Sequence, residues 1–193
     1  MTTLTNKDFE NFWIRCYLGT STKVIESSIK RAYLDFNRTV PGIRMTESRE
    51  KYLIFEDFFK DLINQITSRK LENQESYDSW HRDKCQELIL LAIEQHNKKF
   101  YIGQAQKWIN MTLKYLAALG NDRVKDIILN YPLFHIPIDN VIQSRLSEMG
   151  IPKFDIAWSQ IDDYQDYLKY QKLVRGKFVG QIPMDIEFRL FNE

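Results

Sequence analysis

A chain of 193 residues with 44% apolar and 13% aromatic side chains has enough apolar surface to offset chain entropy, which excludes a disordered protein. Its 27 basic and 26 acidic residues leave a formal charge of +1, so the total neither advertises nucleic acid nor excludes it, and local distribution decides. The start, MTTLTNKDFENFW, lacks the cationic stretch and apolar run of an export signal, and no apolar run reaches membrane-spanning length. Two distant cysteines, Cys16 and Cys85, form no C-x-x-C pair. They fit a reducing compartment, so the expectation is a soluble, intracellular, cytoplasmic protein with no membrane partner.

Seven glycines and five prolines punctuate a succession of helices. The first is predicted from about Asn6 to Leu18, with Phe9, Phe12, Trp13 and Cys16 on one face, and a second from Lys23 to about Asn37. Pro41-Gly42 marks a turn. Thr46, followed by Arg49 and Glu50, opens a third helix with an apolar stripe of Tyr52, Phe55, Phe59, Leu62, Ile63 and Ile66. After a polar linker, a fourth runs from about Tyr77 to Gln95, and a fifth from Gln104 to about Leu119, closed by Gly120. Asn121 to Asn130 suits one short helix, and Tyr131 to Ile138, with two prolines, must be extended. Helices from about Asp139 to Met149 and from Gln160 to about Val174 follow, while Gly176 to Glu193 suits either a terminal helix or a short strand. The fold class is all-α. It is either one helical domain over residues 1–193 or two small lobes, about 1–95 and 96–175, sharing a cleft and followed by a short C-terminal extension.

Charge is unevenly spread. Glu47 to Glu94 holds eleven acids and seven bases, a net of −4, whereas Gln95 to Asn121 holds Lys98, Lys99, Lys107 and Lys114 and no acid. A phosphate-facing surface would look like this, with Lys98 and Lys99 as phosphate contacts. A helix buried deep in the core, its lysines reaching outward along their stems, looks the same, and on this feature alone is the better account. Lys169, Lys172, Arg175 and Lys177 read more simply as a solvated face and tail.

The chemistry-bearing stretch runs from Tyr101 to Ile151. Gly103 permits a backbone approach that a Cβ would hinder. Lys107 is expected on the first turn of a helix, where the dipole favours the free amine. Screened by Tyr101 and Trp108, it is a candidate nucleophile. Asp139 is expected near a helix N-terminus, where a carboxylate stays ionised and can steady a cationic sugar centre. Taken singly, Lys107 is most simply a surface lysine and Asp139 an N-cap.

In IPIDNVIQSRLSEMGI, residues 136–151, the pattern of proline, aspartate, arginine and glycine resembles the catalytic-aspartate segment of helix-hairpin-helix DNA glycosylases. The preceding QKWINMTLKY is similar to the lysine-bearing helix of the archaeal 8-oxoguanine DNA glycosylases in that superfamily. The two elements stand in the family's order, 32 residues apart from Lys107 to Asp139 (139 − 107). The resemblance covers about Gly103 to Ile151; the glycine-rich hairpin turn typical of the superfamily is missing.

The resemblance implies Lys107 as Schiff-base nucleophile, Asp139 as the carboxylate that activates it, and excision of a damaged or modified base from double- or single-stranded DNA, with or without strand cleavage. The base would leave the stack for an aromatic pocket. Tyr101, Trp108, Phe134, His135 and Trp158 are candidate binding residues, with Phe100, Gly103 and Gln104 beside them. No cofactor and no metal is called for. His81 and Cys85 share a helix face without a third ligand, and Asp162, Asp163 and Asp166 suit a helix start better than a cation site. The reading from another class is a non-enzymatic helical interaction protein that offers its lysine-rich helix and aromatics to a protein or nucleic-acid partner.

Overall fold

The computed structural model describes residues 3–40 and 48–192. Among the described residues eight α-helices follow in order: α1 (Asn6–Leu18), α2 (Val24–Phe36), α3 (Arg49–Ser68), α4 (Gln74–His96), α5 (Ile102–Leu119), α6 (Asn140–Glu148), α7 (Tyr164–Lys177) and α8 (Pro183–Asn192). Short 3-10 segments occupy Asn37–Thr39, Ile127–Leu133 and Trp158–Gln160. The fold is all-α, and no described residue is in a strand. Among the described residues, no helix is long and apolar enough to cross a membrane.

Local chemistry sets most of the boundaries. The side chains of Ser48, Asn73, Asp139 and Asp163 each accept a main-chain N–H in the first turn of the helix that follows, satisfying donors the helix cannot. Gly19 ends α1 at φ 78°, a conformation with little penalty only without a Cβ. Pro183 takes the first position of α8, where its missing N–H is harmless. The undecided C-terminal stretch is therefore helical over Pro183–Asn192.

Two expectations are corrected. Asn121 to Asn130 is not one helix, since turns lead into a 3-10 segment that begins at Ile127. That segment runs on through Tyr131, Pro132 and Leu133, so only the chain from Phe134 onward is extended. Pro132 is tolerated there because its fixed φ suits a tight helical turn. The Pro41-Gly42 turn and the helix start at Thr46 lie outside the described residues.

Helix α5 is the axis of the molecule. Fourteen of its 18 residues are buried, with α2 and α4 packed along it and the Trp158–Gln160 segment across its start. Gly103 allows that last contact: a Cβ there would run into the Trp158 carbonyl oxygen. The buried side chains from Val24 to Leu190 form one cluster, reaching both proposed lobes. Helix α1 is the exception. It buries no residue, and Phe9, Phe12, Trp13 and Tyr17 are half or more exposed.

Candidate functional site

Most of the window without acids is a core helix, and Lys99, Lys107 and Lys114 are answered by carboxylates from far along the chain. Lys107 Nζ lies 2.5 Å from Asp139 Oδ2. Lys114, two turns further on the same face, reaches both oxygens of Glu187, at 2.7 Å for Oε1 and 2.5 Å for Oε2. Lys99 donates to Asp162 at 2.7 Å and lies over the Tyr101 ring. Counting Ile102 as the first residue, Lys107 is sixth in α5. It therefore stands in the second turn, beyond the reach of the dipole argument that a first-turn position would support.

Asp139 performs two tasks. Its Oδ1 caps α6 by accepting the Ile142 N–H at 2.9 Å, and its Oδ2 takes the Lys107 amine. The chain leading to it is held by two glutamine amides acting as a strand neighbour would. Gln171 Nε2 donates to the Ile136 carbonyl at 2.8 Å, and Gln106 Nε2 to the Ile138 carbonyl at 2.9 Å. The N–H groups of the same two residues return to the glutamine oxygens. Gln106 and Lys107 are adjacent on α5, so one turn of helix fixes both the amine and the backbone that carries its partner.

Lys107 and Asp139 line one cavity of about 600 Å³. Its apolar walls come from α1 (Trp13, Ile14, Tyr17) and α8 (Phe188, Phe191), and its polar floor from Lys107, Lys114, Asp139 and Glu187. At one side, Tyr115 donates to Asp35 at 2.5 Å and its hydroxyl is 3.0 Å from that of Tyr17, whose ring lies under the Arg31 guanidinium. Burial pushes the Tyr115 phenol up, and its hydrogen bond to the Asp35 carboxylate adds to the effect.

The remaining candidates lie elsewhere. Trp108 is fully buried, stacked on Phe55 and packed against Phe36 and Phe59, and donates to the Ile29 carbonyl at 3.0 Å. Phe100, Phe134 and Trp158 are core residues as well. Gly103 and Trp158 serve helix packing. Tyr101, Gln104, Lys98 and Lys99 do meet, around a separate groove at the start of α5 that shares no residue with the Lys107 cavity. Gln104 there donates to the Thr39 carbonyl.

His135 lies in a buried polar network. Its Nε2 is 2.7 Å from Asp78, its Nδ1 is 2.9 Å from the Tyr167 hydroxyl, and Arg175 donates to both Asp78 oxygens. Arg175 is thus a structural partner rather than part of a solvated tail. His81, 3.0 Å from Asn110 and 3.7 Å from Cys85 Sγ, belongs to the same network. Asp163 caps α7 and Asp166 stands in its first turn.

Sequence reasoning missed Trp13, Tyr17, Tyr115, Lys114, Glu187, Phe188 and Phe191. The one available signal was the seven-residue spacing from Lys107 to Lys114, which puts both on one helix face.

Comparison with known proteins finds no matching family model, no similar curated protein and no similar solved structure.

Proposed function

We propose that the chain is a DNA base-excision enzyme, a glycosylase with lyase activity, with Lys107 as amine nucleophile and Asp139 as its proton acceptor. The observation that carries this is the 2.5 Å Lys107–Asp139 contact within an aromatic-walled cavity. Its volume of about 600 Å³ falls in the usual range for sites that hold a small molecule. Rings on two sides suit a planar base taken out of its stack. The resemblance over Gly103 to Ile151 supplies the same two residues in the same roles.

Asp139 takes a proton from the Lys107 ammonium, and Nζ attacks C1′ of the sugar. The C1′–N bond breaks and the base leaves with its electron pair and the proton that Asp139 accepted. Opening of the C1′–O4′ bond, with a proton passing from Nζ to O4′, leaves an iminium between Nζ and C1′. Loss of a C2′ proton from that iminium expels the 3′ phosphate, which is the lyase step, and water then hydrolyses the iminium. Lys98 and Lys99 are proposed phosphate contacts only for a strand long enough to reach the α5 groove, where Asp162 already competes for Lys99.

A second reading, a non-enzymatic helical interaction protein, draws on α1, whose Phe9, Phe12 and Trp13 are each more than half exposed. Borohydride reduction with an abasic oligonucleotide separates the two. A covalent adduct is expected from the wild type and none from Lys107→Ala, with circular dichroism establishing that the variant is folded. No wild-type adduct on abasic or lesion-bearing strands leaves the interaction protein.

A further inference from the structure

Among the described residues, three ion pairs line the Lys107 cavity, and they are not equally closed. Lys107 meets Asp139 at 2.5 Å, and Lys114 meets both oxygens of Glu187 at 2.5 and 2.7 Å. Arg31 and Asp35, one turn apart on α2, stand 3.6 Å from each other, beyond hydrogen-bonding distance. Their side chains are 38% and 18% exposed, so both can be reached from solvent. Neighbours hold the pair in place. Tyr115 donates to Asp35 Oδ2 at 2.5 Å, and the Arg31 guanidinium lies 4.6 Å from the centre of the Tyr17 ring. Asp35 Oδ1 is left beside the guanidinium, an acceptor next to a fork of donors. Arg31 Nε has no hydrogen-bond partner, so none of its bonds has to break when a ligand turns the fork.

We propose that Arg31 and Asp35 read the extruded base, Arg31 donating to a ring carbonyl and Asp35 accepting the adjacent ring N–H. The cavity therefore takes lactam bases such as uracil and hypoxanthine. This assignment rests on the base-excision reading of the same cavity.

The charges lining the cavity favour a base edge over a phosphate. Arg31, Lys107 and Lys114 are matched by Asp35, Asp139 and Glu187, which leaves no net positive charge for an anion. A phosphate drawn to Arg31 would also meet the Asp35 carboxylate beside it. A neutral edge that offers an acceptor and an N–H side by side satisfies both groups, and a lactam is such an edge. Its carbonyl oxygen gathers negative charge as the base departs with the electron pair of the C1′–N bond, and a guanidinium placed there stabilises that charge.

The test measures excision by wild type, Arg31→Met and Asp35→Asn from single-stranded oligonucleotides. These carry uracil or 3-methyluracil, and hypoxanthine or 1-methylhypoxanthine, each methyl group standing in for the ring N–H. Wild type is also trapped with borohydride on an abasic strand. Exposed i,i+4 pairs contribute little to stability, so both variants should melt within a few degrees of wild type. Wild type should prefer each N–H base over its methylated form about tenfold or more in kcat/KM, as expected for one hydrogen bond to a charged group. Asp35→Asn keeps an oxygen for Tyr115 but turns an amide donor towards the ring N–H, and should lose that preference. Arg31→Met should lower kcat/KM on the N–H bases about tenfold. Comparing the ratio between proteins cancels the intrinsic difference in how readily the paired bases leave.

A preference that persists in Asp35→Asn, or its absence from wild type, would overturn the assignment. So would an equal loss on all four bases in either variant, which marks the pair as structural. Wild type that traps the abasic strand but excises none of the four bases would overturn it as well. No wild-type trapping removes the base-excision reading itself, and the reading of the base with it.

Discussion

Two polar constellations flank α5, and they differ in what their atoms face. On one side, Gln106 and Asn110 join His81, His135, Tyr167, Gln171 and Asp78 in a network turned inward. Its members hydrogen-bond one another and the main chain of Ile136 and Ile138. On the other side, Lys107 and Lys114, with Asp139 and Glu187, form the floor of a cavity walled by rings. Both hold buried charge, and both contain groups displaced from their ordinary protonation. Burial and perturbed titration therefore do not by themselves mark a reactive site. The distinguishing feature is room for a ligand beside the paired charges. If this contrast is sound, the two faces should respond to different assays.

The largest expected effect is on the closed face. Asp78→Ala removes the partner of His135, which is fully buried, and of Arg175. Unpairing a buried ionic group costs about 3–5 kcal/mol, and because the Arg175 side chain is 20% exposed and can turn towards water, about 3 kcal/mol is expected. Urea denaturation measures it. Adduct formation per folded molecule should stay at the wild-type level, whereas a stable Asp78→Ala protein that has lost trapping would place the network in the chemistry.

Acid should loosen the same face. Burial lowers His135 and lowers His81 well below the ordinary histidine value, so both bind a proton less readily in the folded chain than in the unfolded one, which protonates near pH 6.5. At Asp78 burial opposes ionisation, but His135, Gln74 and Arg175 together hold the carboxyl at about 2. Every one of these values is depressed on folding. The stability they contribute is present above the unfolded value and lost as pH falls, first below about 6.5 for the histidines and then between about 4 and 2 for Asp78. The expected slope is about 1.4 kcal/mol per pH unit for each neutral histidine. Glu187 is raised and has the opposite sign, so the Glu187→Gln background isolates the histidines. Urea midpoints that do not move between pH 7.5 and 5.5 would show that the buried rings bind protons as readily in the folded chain as in the unfolded one.

The all-α class and most helix limits were legible because they rest on local signals: caps, glycines and 3.6-residue spacing. The Lys107–Asp139 pair was legible only through resemblance, since no local rule joins residues 32 apart. His135 stood out in sequence as a histidine beside the presumed site, yet its neighbours are a carboxylate and a phenol brought in by α4 and α7. The far wall of the cavity was hidden for a different reason. Glu187, Phe188 and Phe191 lie in a stretch that suited a helix or a strand, and the contact of Lys114 with Glu187 across 73 residues appears only on folding. The aromatic face of α1 was visible as periodicity, which says which residues share a side and not whether that side is covered.

That face supplies the smallest effect on stability and the mirror image of Asp78→Ala. Trp13 is 68% exposed, belongs to a helix with no buried residue, and still lines the cavity. Truncation to alanine removes little packing, so unfolding free energy should change by less than about 0.5 kcal/mol. A base entering between α1 and α8 would lose one stacking surface. Stacking on an aromatic side chain is worth about 1–3 kcal/mol per base, so the oligonucleotide concentration for half-maximal adduct formation should rise about tenfold. The rate at saturation should stay close to wild type, because Lys107 and Asp139 are held by α5 and α6 and not by α1. Unchanged concentration dependence would mean that the ligand does not touch α1. A melting temperature that drops by several degrees would mean that α1 is a structural element despite its exposure, and the contrast between the two faces of α5 would lose its open side.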